Sequence, residues 1–261
     1  TDTNQGKQVG GQTKLSKKNA ASGDTIIITV TPDKGYENGV PVVLDSNKKL
    51  VAVTDNGDGT FSFKMPSGGV IIDTKFSKID YFDDVNRGDW FDEASWYCAA
   101  HGLMQGTGHR QFDGHVGTNR AMLVTVLYRL ANSTDDLESI FDDVETGKWY
   151  SEAIGWAAHN KIVAGYGNGK FGPEDALTRE QMVAVLYRYS MFMKYDVSKL
   201  NGLNTFTDAD AISEWALDAM KWAVGNGIVE GVGNDLISPE TGATRAQFAA
   251  MMQRFCTSFV K

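Results

Sequence analysis

The chain has 261 residues and a formal net charge of −8, and a length of this order allows two domains. The negative charge argues against general nucleic-acid binding, and no run of about 18 apolar residues predicts a membrane-spanning helix. The two cysteines, Cys98 and Cys256, are too few for a disulfide framework or a metal site.

The charge is divided unevenly along the chain. Residues 1–80 carry a net charge of +1 and residues 81–261 a net charge of −9. An anionic ligand of the second part must therefore be held by local cationic side chains. Because the chain begins at Thr1 without a Met or a signal peptide, we expect a mature fragment or a portion of a longer protein.

Residues 12–78 predict a small β-rich domain, and residues 1–11 before it are expected to be disordered. The β-branched run 25–31 predicts a strand, which the turn sequence 32–35 ends. Further strands are predicted at 42–44, 50–53, 60–66 and 70–76.

The segment 55–59, Asp-Asn-Gly-Asp-Gly, is similar to the start of a calcium-binding loop. The twelfth position counted from Asp55 is Pro66, where such a loop needs a bidentate Glu. We therefore interpret this segment as a hairpin turn. Thr-Val-Thr-Pro-Asp-Lys-Gly-Tyr at 29–36, followed by Gly-Asp-Gly-Thr-Phe-Ser-Phe-Lys-Met-Pro at 57–66, resembles the internalin B-repeat of bacterial surface proteins. That resemblance implies a spacer or stalk.

Three copies of one pattern follow in residues 81–261. Phe-Asp-Asp-Val begins at Phe82 and at Phe141, and the related Phe-Thr-Asp-Ala begins at Phe206, which gives separations of 59 and 65 residues. Each copy then has a tryptophan, a glycine and an arginine at matching distances: Trp90, Trp149 and Trp215; Gly106, Gly165 and Gly231; Arg120, Arg179 and Arg245. This spacing indicates repeats at 81–132, 140–194 and 205–261.

Each repeat predicts a helix, a glycine-rich loop and a second helix. Apolar residues follow each tryptophan at helical spacing, as in Ala153, Trp156 and Ala157. The second helix begins directly after a capping residue, and the arginine is its first helical residue.

The start of the second helix is predicted by its capping residues. Thr178 with Gln181, and Thr244 with Gln247, fit a capping box. In the first repeat Asn can cap the helix, but Met122 cannot complete the box.

Phe-x-Asp-Val, Trp, Gly-x-Gly-x-Gly-x-Phe-x-Pro at 165–173 and Thr-Arg at 178–179 together resemble the S-layer homology domain, in three copies. The resemblance implies an α+β multidomain chain, with a small β-rich domain before an all-α pseudo-threefold trimer of helix-loop-helix repeats. The trimer is expected to form within one monomeric chain. The family is a non-catalytic, extracellular anchor on Gram-positive cell walls and S-layers. The resemblance implies binding of anionic secondary cell-wall polysaccharide, often pyruvylated, in grooves between repeats. We expect neither a metal nor a cofactor.

Candidate ligand-binding residues follow from this resemblance and from charge. An arginine at a helix N-terminus adds a bidentate donor to free amides and a partial positive charge, which suits a carboxylate. Tryptophan offers an apolar platform for a sugar ring, and glycine lets the backbone approach closely. The candidates are Arg120, Arg179, Arg245, Trp90, Trp149, Trp215, Gly106, Gly165, Gly231, Asp84, Asp143, Asp208, Lys148 and Lys170.

Each candidate type has a structural alternative. The arginines could lie on helix surfaces, the tryptophans in the core, and the aspartates in turns or caps. The glycines could serve the loop conformation alone, and Lys148 and Lys170 could be solvated. Cys98 and Cys256 could be small buried fillers or a bridge, and the four histidines show no metal-ligand spacing.

The three copies are unequal, and we expect one or two grooves to bind well and the remainder weakly. An alternative function is a structural S-layer or surface assembly module that binds no glycan. A polysaccharide hydrolase would need paired carboxylates in a cleft. The acidic residues here lie in repeat turns or are scattered over helix faces, so no catalytic site is predicted.

Overall fold

The computed structural model describes residues 7–260, in two compact units of which one ends at Tyr81 and the other begins at Phe82. Disorder was expected for residues 1–11, of which residues 1–6 lie outside the described part of the chain. From Lys7 onward that expectation is wrong, because β1 (Lys7–Gln8) pairs antiparallel with β2 (Gly11–Leu15). No helix among the described residues is long and apolar enough to cross a bilayer.

The first unit consists of antiparallel strands in two sheets. The remaining strands are β3 (Thr25–Pro32), β4 (Pro41–Asp45), β5 (Leu50–Val51), β6 (Val53–Asp55), β7 (Thr60–Lys64) and β8 (Val70–Thr74). One sheet has the order β1-β2-β3-β7-β6 and the other the order β5-β4-β8. The strands predicted from the sequence are confirmed, although the one expected at 50–53 is divided between β5 and β6.

Both sheets contribute to a single apolar core. Ile28 of β3 lies opposite Phe61 of β7, and Val43 of β4 lies opposite Ile72 of β8. All four side chains are buried in one cluster. Buried and exposed residues alternate along β3, because successive side chains of a strand point to opposite faces.

The segment between β6 and β7 is the predicted hairpin turn. The Asp55 carboxylate accepts the Gly57 amide at 2.9 Å, and the Asp58 carboxylate accepts the Thr60 amide at 3.0 Å. Each aspartate therefore stabilises the turn by accepting the backbone amide two residues further along.

Six α-helices occur in the described part of the second unit, two from each repeat. They are α1 (Asp92–Ala100), α2 (Arg120–Leu130), α3 (Ser151–His159), α4 (Arg179–Phe192), α5 (Leu217–Gly225) and α6 (Arg245–Phe259). Both predicted capping boxes are confirmed, and Asn119 caps α2 by accepting the Met122 amide at 2.9 Å.

The packed helix pairs come from different repeats. Helix α2 packs on α3, α4 packs on α5, and α6 packs on α1. The second helix of each repeat therefore covers the first helix of the next, and the third repeat returns to the first.

A closed triangle of backbone hydrogen bonds follows the same cycle. The Thr118 amide donates to the Ala243 carbonyl at 2.9 Å, Ala243 to Leu177 at 2.8 Å, and Leu177 to Thr118 at 3.0 Å. Each of these residues directly precedes a helix cap. Since buried backbone groups must be paired, one repeat alone could not satisfy these groups.

The core of the second unit is rich in aromatic and sulfur-containing side chains. Tyr189 contacts the rings of Trp156 and Phe255. Cys98 and Cys256 are buried and free, as the interpretation as small fillers predicts.

Candidate functional site

The arginine that begins each second helix reaches into the loop of the next repeat. Its Nε donates to a carbonyl in every case: Arg120 to Phe171 at 2.9 Å, Arg179 to Ile237 at 2.9 Å, and Arg245 to Phe112 at 2.7 Å. Its Nη2 donates to a second carbonyl of the same loop, at Ala164, Glu230 and Gln105 respectively. The three arginines therefore connect the repeats in a cycle.

Burial separates these three arginines. Arg179 and Arg245 are 3% and 6% exposed, whereas Arg120 is half-buried. Removal from water lowers the pKa of the Arg179 guanidinium below its ordinary value. The loop carbonyls supply the hydrogen bonds that these buried cations require.

The expectation of free amides at these helix N-termini is wrong. In α4 the Arg179 amide donates to Thr241 at 3.1 Å and the Glu180 amide donates to Pro239 at 2.9 Å. The first two amides of α2 donate to Asp175 and Pro173, and those of α6 to Val116 and Gly114. The acceptors belong to another repeat, which is why local sequence could not reveal them. An anion here must therefore be bound by side chains.

The repeated aspartates each bind the loop of their own repeat. The Asp143 carboxylate accepts the amides of Phe171 and Gly172, both at 2.8 Å. Asp84 binds the amides of Phe112 and Asp113, and Asp208 those of Ile237 and Ser238, in the same way. Burial raises the pKa of Asp143, but the two amide hydrogen bonds outweigh it and the pKa lies below its ordinary value.

The repeated glycines lie where the loop closes on itself. A Cβ at Gly165 would lie 2.4 Å from the Lys170 carbonyl oxygen and 2.6 Å from the Phe141 ring. At Gly106 it would lie 2.6 Å from the Gln111 carbonyl oxygen, and at Gly231 3.0 Å from that of Leu236. Lack of space for a side chain explains these glycines.

Three grooves lie in the second unit, and each is lined by all three repeats. The Arg120 groove has a volume of about 380 Å³, and its lining includes Arg120, Tyr166, Gln181, Arg188 and Trp215. The Arg179 groove has a volume of about 430 Å³, and its lining includes Trp90, Arg179, Glu230, Gln247 and Arg254. The Arg245 groove has a volume of about 160 Å³, and its lining includes Gln105, Met122, Arg129, Trp149 and Arg245.

The tryptophan of each groove comes from the repeat that supplies neither the first arginine nor the loop. Trp90, Trp149 and Trp215 are 63%, 56% and 54% exposed. Trp90 meets Phe91 edge-on at 5.4 Å, and Trp149 meets Tyr150 at 5.2 Å. All three rings therefore lie at the surface beside a groove, and those of Trp90 and Trp149 also pack against a neighbouring aromatic residue.

A second arginine in each groove was missed by the sequence analysis. Arg129, Arg188 and Arg254 each lie nine residues after the first arginine of their helix. Nine residues correspond to two and a half helical turns, about 180° around the axis, so spacing alone does not place these residues near a shared groove. The first arginine of each groove comes from another repeat, and only the cyclic packing brings the two together. The signal was the recurrence of the spacing in all three copies.

The two candidate lysines lie elsewhere on the second repeat. Lys148 pairs with the Glu145 carboxylate at 3.1 Å, and that hydrogen bond raises the pKa of the lysine. Lys170 is exposed in the loop. Neither lysine lines the three grooves. Within residues 7–260 no three His, Cys, Asp or Glu side chains group closely enough to hold a metal ion.

Two family models match parts of this chain. The S-layer homology domain matches residues 140–183 and 205–249, and the divergent InlB B-repeat domain matches residues 3–80. The chain carries S-layer homology repeats. The matched segments are the second and third of these SLH repeats, and the first shares their arginine and aspartate hydrogen bonds. SLH repeats are cell-surface modules, and the chain is accordingly extracellular.

Several proteins are similar to part of this chain. An amylopullulanase of Thermoanaerobacterium thermosulfurigenes is 31% identical over 200 residues, which cover 76% of this chain and 10% of that protein. A surface-layer 125 kDa protein of Lysinibacillus sphaericus is 28% identical over 159 residues, 59% of this chain and 13% of that protein. A cellulosome-anchoring protein of Acetivibrio thermocellus is 26% identical over 129 residues, which cover 47% of this chain and 27% of that protein. The chain thus spans a small part of each relative.

Proposed function

We propose that this chain anchors its protein non-covalently to the cell wall, by binding an anionic secondary cell-wall polysaccharide in the grooves of a pseudo-threefold SLH unit. The observation that carries the proposal is that each groove combines an exposed tryptophan with two arginines, drawn from three repeats. One relative is named for anchoring, which supports the same role here.

The groove chemistry suits a sugar that carries a carboxylate, such as a pyruvate ketal. A tryptophan ring can stack on the apolar face of a sugar. An arginine guanidinium can bind a carboxylate with two parallel hydrogen bonds. In this proposal Trp215 and Arg188 contact the ligand, while Arg120 and Asp143 hold the loop that shapes the groove.

We propose no catalytic activity for this chain. A glycosidase needs two carboxylates on either side of the scissile bond. The repeated carboxylates of Asp84, Asp143 and Asp208 each bind two backbone amides instead. The similarity to the amylopullulanase covers 10% of that enzyme, and it therefore gives no argument for the same activity here.

Co-sedimentation with purified Gram-positive cell walls tests the proposal, before and after removal of the secondary polysaccharide. Arg188→Ala and Trp215→Ala would be compared with Arg87→Ala, which removes the same charge as Arg188→Ala from an exposed site outside the grooves. We expect binding to disappear with the polysaccharide, to fall in the two groove variants and to persist in the control. Arg179→Ala is a poor choice because that buried side chain joins two repeats.

Two outcomes would overturn the proposal. Binding that survives removal of the polysaccharide would assign peptidoglycan as the ligand. Folded protein that does not bind cell walls but self-associates in analytical ultracentrifugation would establish the assembly function instead.

A further inference from the structure

The second arginine has a different partner in each groove. Arg254 Nη2 pairs with the Glu230 carboxylate at 2.5 Å. Arg129 Nη1 donates to the Leu103 carbonyl at 3.3 Å. Arg188 is half-buried, and its guanidinium forms neither an ion pair nor a hydrogen bond with any residue in the described range 7–260. The grooves therefore differ in the charge that they offer a ligand.

Glu230 is placed beside Arg254 by its backbone. Its carbonyl accepts Arg179 Nη2 at 2.9 Å, which fixes the residue at the edge of the Arg179 groove. The same position, directly before the loop glycine, is Ala164 in the second repeat and Gln105 in the first. Only the third repeat thus has a carboxylate at this position.

The Arg120 groove has the opposite balance of charge. Burial lowers the pKa of Arg120, and the nearby positive charge of Arg188 lowers it further, whereas Asp175 and Asp143 act in the other direction. Those two carboxylates are already engaged, Asp175 with the Tyr166 hydroxyl at 2.9 Å and Asp143 with loop amides. The charge of Arg188 therefore remains without a direct partner in the part of the chain that the structure describes.

We propose that Glu230 is an internal carboxylate that occupies Arg254 in place of a ligand, so that the Arg120 groove, through Arg188, is the principal site for a carboxylate-bearing saccharide. This inference rests on the proposed function and names the groove and the residue that determine its charge specificity. A ligand carboxylate at Arg254 would have to displace Glu230 and lie close to it, and like charges in contact repel.

The Arg245 groove is the weakest of the three for such a ligand. It is the smallest, and Leu103, Met104 and Met122 give it an apolar lining. Met122 stands where the other two grooves have Gln181 and Gln247. The Arg245 groove therefore exposes less polar surface that could orient a sugar.

Two reciprocal variants test the inference. Glu230→Gln removes the internal carboxylate with little change of shape, and Ala164→Glu introduces one at the equivalent exposed position beside Arg188. Binding would be measured by isothermal titration calorimetry with a methyl glycoside that carries a 4,6-pyruvate ketal. The neutral parent glycoside would be titrated in parallel, and circular dichroism would confirm that each variant is folded.

We expect Ala164→Glu and Arg188→Ala each to weaken ketal binding about tenfold or more, the contribution of one charge-assisted hydrogen bond. Glu230→Gln should strengthen binding at a second site by about threefold, since a partly exposed ion pair contributes less than about 1 kcal/mol. Affinity for the neutral glycoside should change in none of the three variants.

The possible failures can be told apart. If Arg254→Ala abolishes ketal binding while Arg188→Ala and Ala164→Glu leave it unchanged, the Arg179 groove is the principal site and the inference is wrong, although glycan binding stands. If Glu230→Gln leaves the second site unchanged, Glu230 is no competitor. If folded wild-type protein binds neither the ketal glycoside nor walls, the proposed function itself is wrong.

Discussion

Asp143 and Arg120 hold the same residue, Phe171, from two different repeats. The Asp143 carboxylate accepts the Phe171 amide at 2.8 Å, and Arg120 Nε donates to its carbonyl at 2.9 Å. The same arrangement occurs twice more: Asp208 and Arg179 hold Ile237, and Asp84 and Arg245 hold Phe112. Charged residues that resemble ligand contacts therefore first serve to fix the loops, and the loops in turn shape the grooves.

Loss of a buried first arginine should destabilise the SLH unit. Arg245→Ala leaves the carbonyls of buried Phe112 and exposed Gln105 without their donor, and an unpaired buried acceptor costs about 1–3 kcal/mol. We expect the free energy of unfolding in urea to fall by about 2–4 kcal/mol. Arg120→Ala is the matched comparison. Because Arg120 is only half-buried, water can hydrogen-bond the carbonyls that it leaves, and the free energy of unfolding should fall less. Equal losses for both variants would contradict the role of burial.

Asp143 and Asp208 should make the fold acid-sensitive, because the pKa of each lies below its ordinary value. Burial raises the pKa of Asp208, but amide hydrogen bonds from Ile237 and Ser238 bring it below its ordinary value. A carboxylate with a lowered folded-state pKa stabilises the protein above its unfolded pKa of about 4, and this contribution is lost as pH falls through the folded-state value. Melting temperature should therefore fall below about pH 4.

The matched variants for this pH dependence are Asp208→Asn and Asp210→Asn. Asp208→Asn should lower stability at pH 7 and flatten the acid limb of the curve, because an amide can accept only one of the two backbone donors well. Asp210 is exposed, and its variant should follow the wild-type curve. Identical curves for the two variants would show that the loop hydrogen bonds contribute nothing to acid stability.

Local signals in the sequence predicted the elements, and non-local geometry determined the site. Thr178 and Gln181 revealed the start of α4 because a capping box is complete within four residues. The same sequence could not show that the amides of Arg179 and Glu180 donate to another repeat. Arg188 was missed for a similar reason, since its groove forms only when Arg120 and Trp215 arrive from two other repeats.

Gly155 of α3 should not tolerate a larger residue, because the linker before the second repeat passes directly over it. Alanine normally stabilises a helix interior relative to glycine by about 1 kcal/mol. At Gly155 in α3 a Cβ would lie 1.8 Å from the Leu137 carbonyl oxygen, so the linker would have to move. Gly155→Ala should lower the melting temperature. Gly225→Ala, where the nearest atom is the Lys199 carbonyl oxygen at 2.9 Å, should lower it less.

Replacing Ser238 by glycine should stabilise the loop of the third repeat, because the second repeat already has Gly172 at the equivalent position. Ser238 has a φ of 48°, and Gly172 at the equivalent position has a φ of 73°. A left-handed backbone costs a residue with a Cβ about 1–2 kcal/mol. Ser238→Gly should therefore raise the free energy of unfolding by about 1 kcal/mol. Asp113→Gly relieves the same strain in the first repeat but loses the contact with Thr107, so its gain should be smaller.

A buried hydroxyl in the aromatic core gives a last test of the packing. The Tyr189 ring is fully buried between Trp156 and Phe255, and its hydroxyl has no hydrogen-bond partner among the described residues. An unpaired buried donor destabilises a fold by about 1–3 kcal/mol, so Tyr189→Phe should raise the free energy of unfolding by about 1 kcal/mol. Tyr187→Phe, on the half-buried neighbour, should change it by less than about 0.5 kcal/mol. A loss of stability in Tyr189→Phe would mean that the hydroxyl is paired, through a buried water molecule for example.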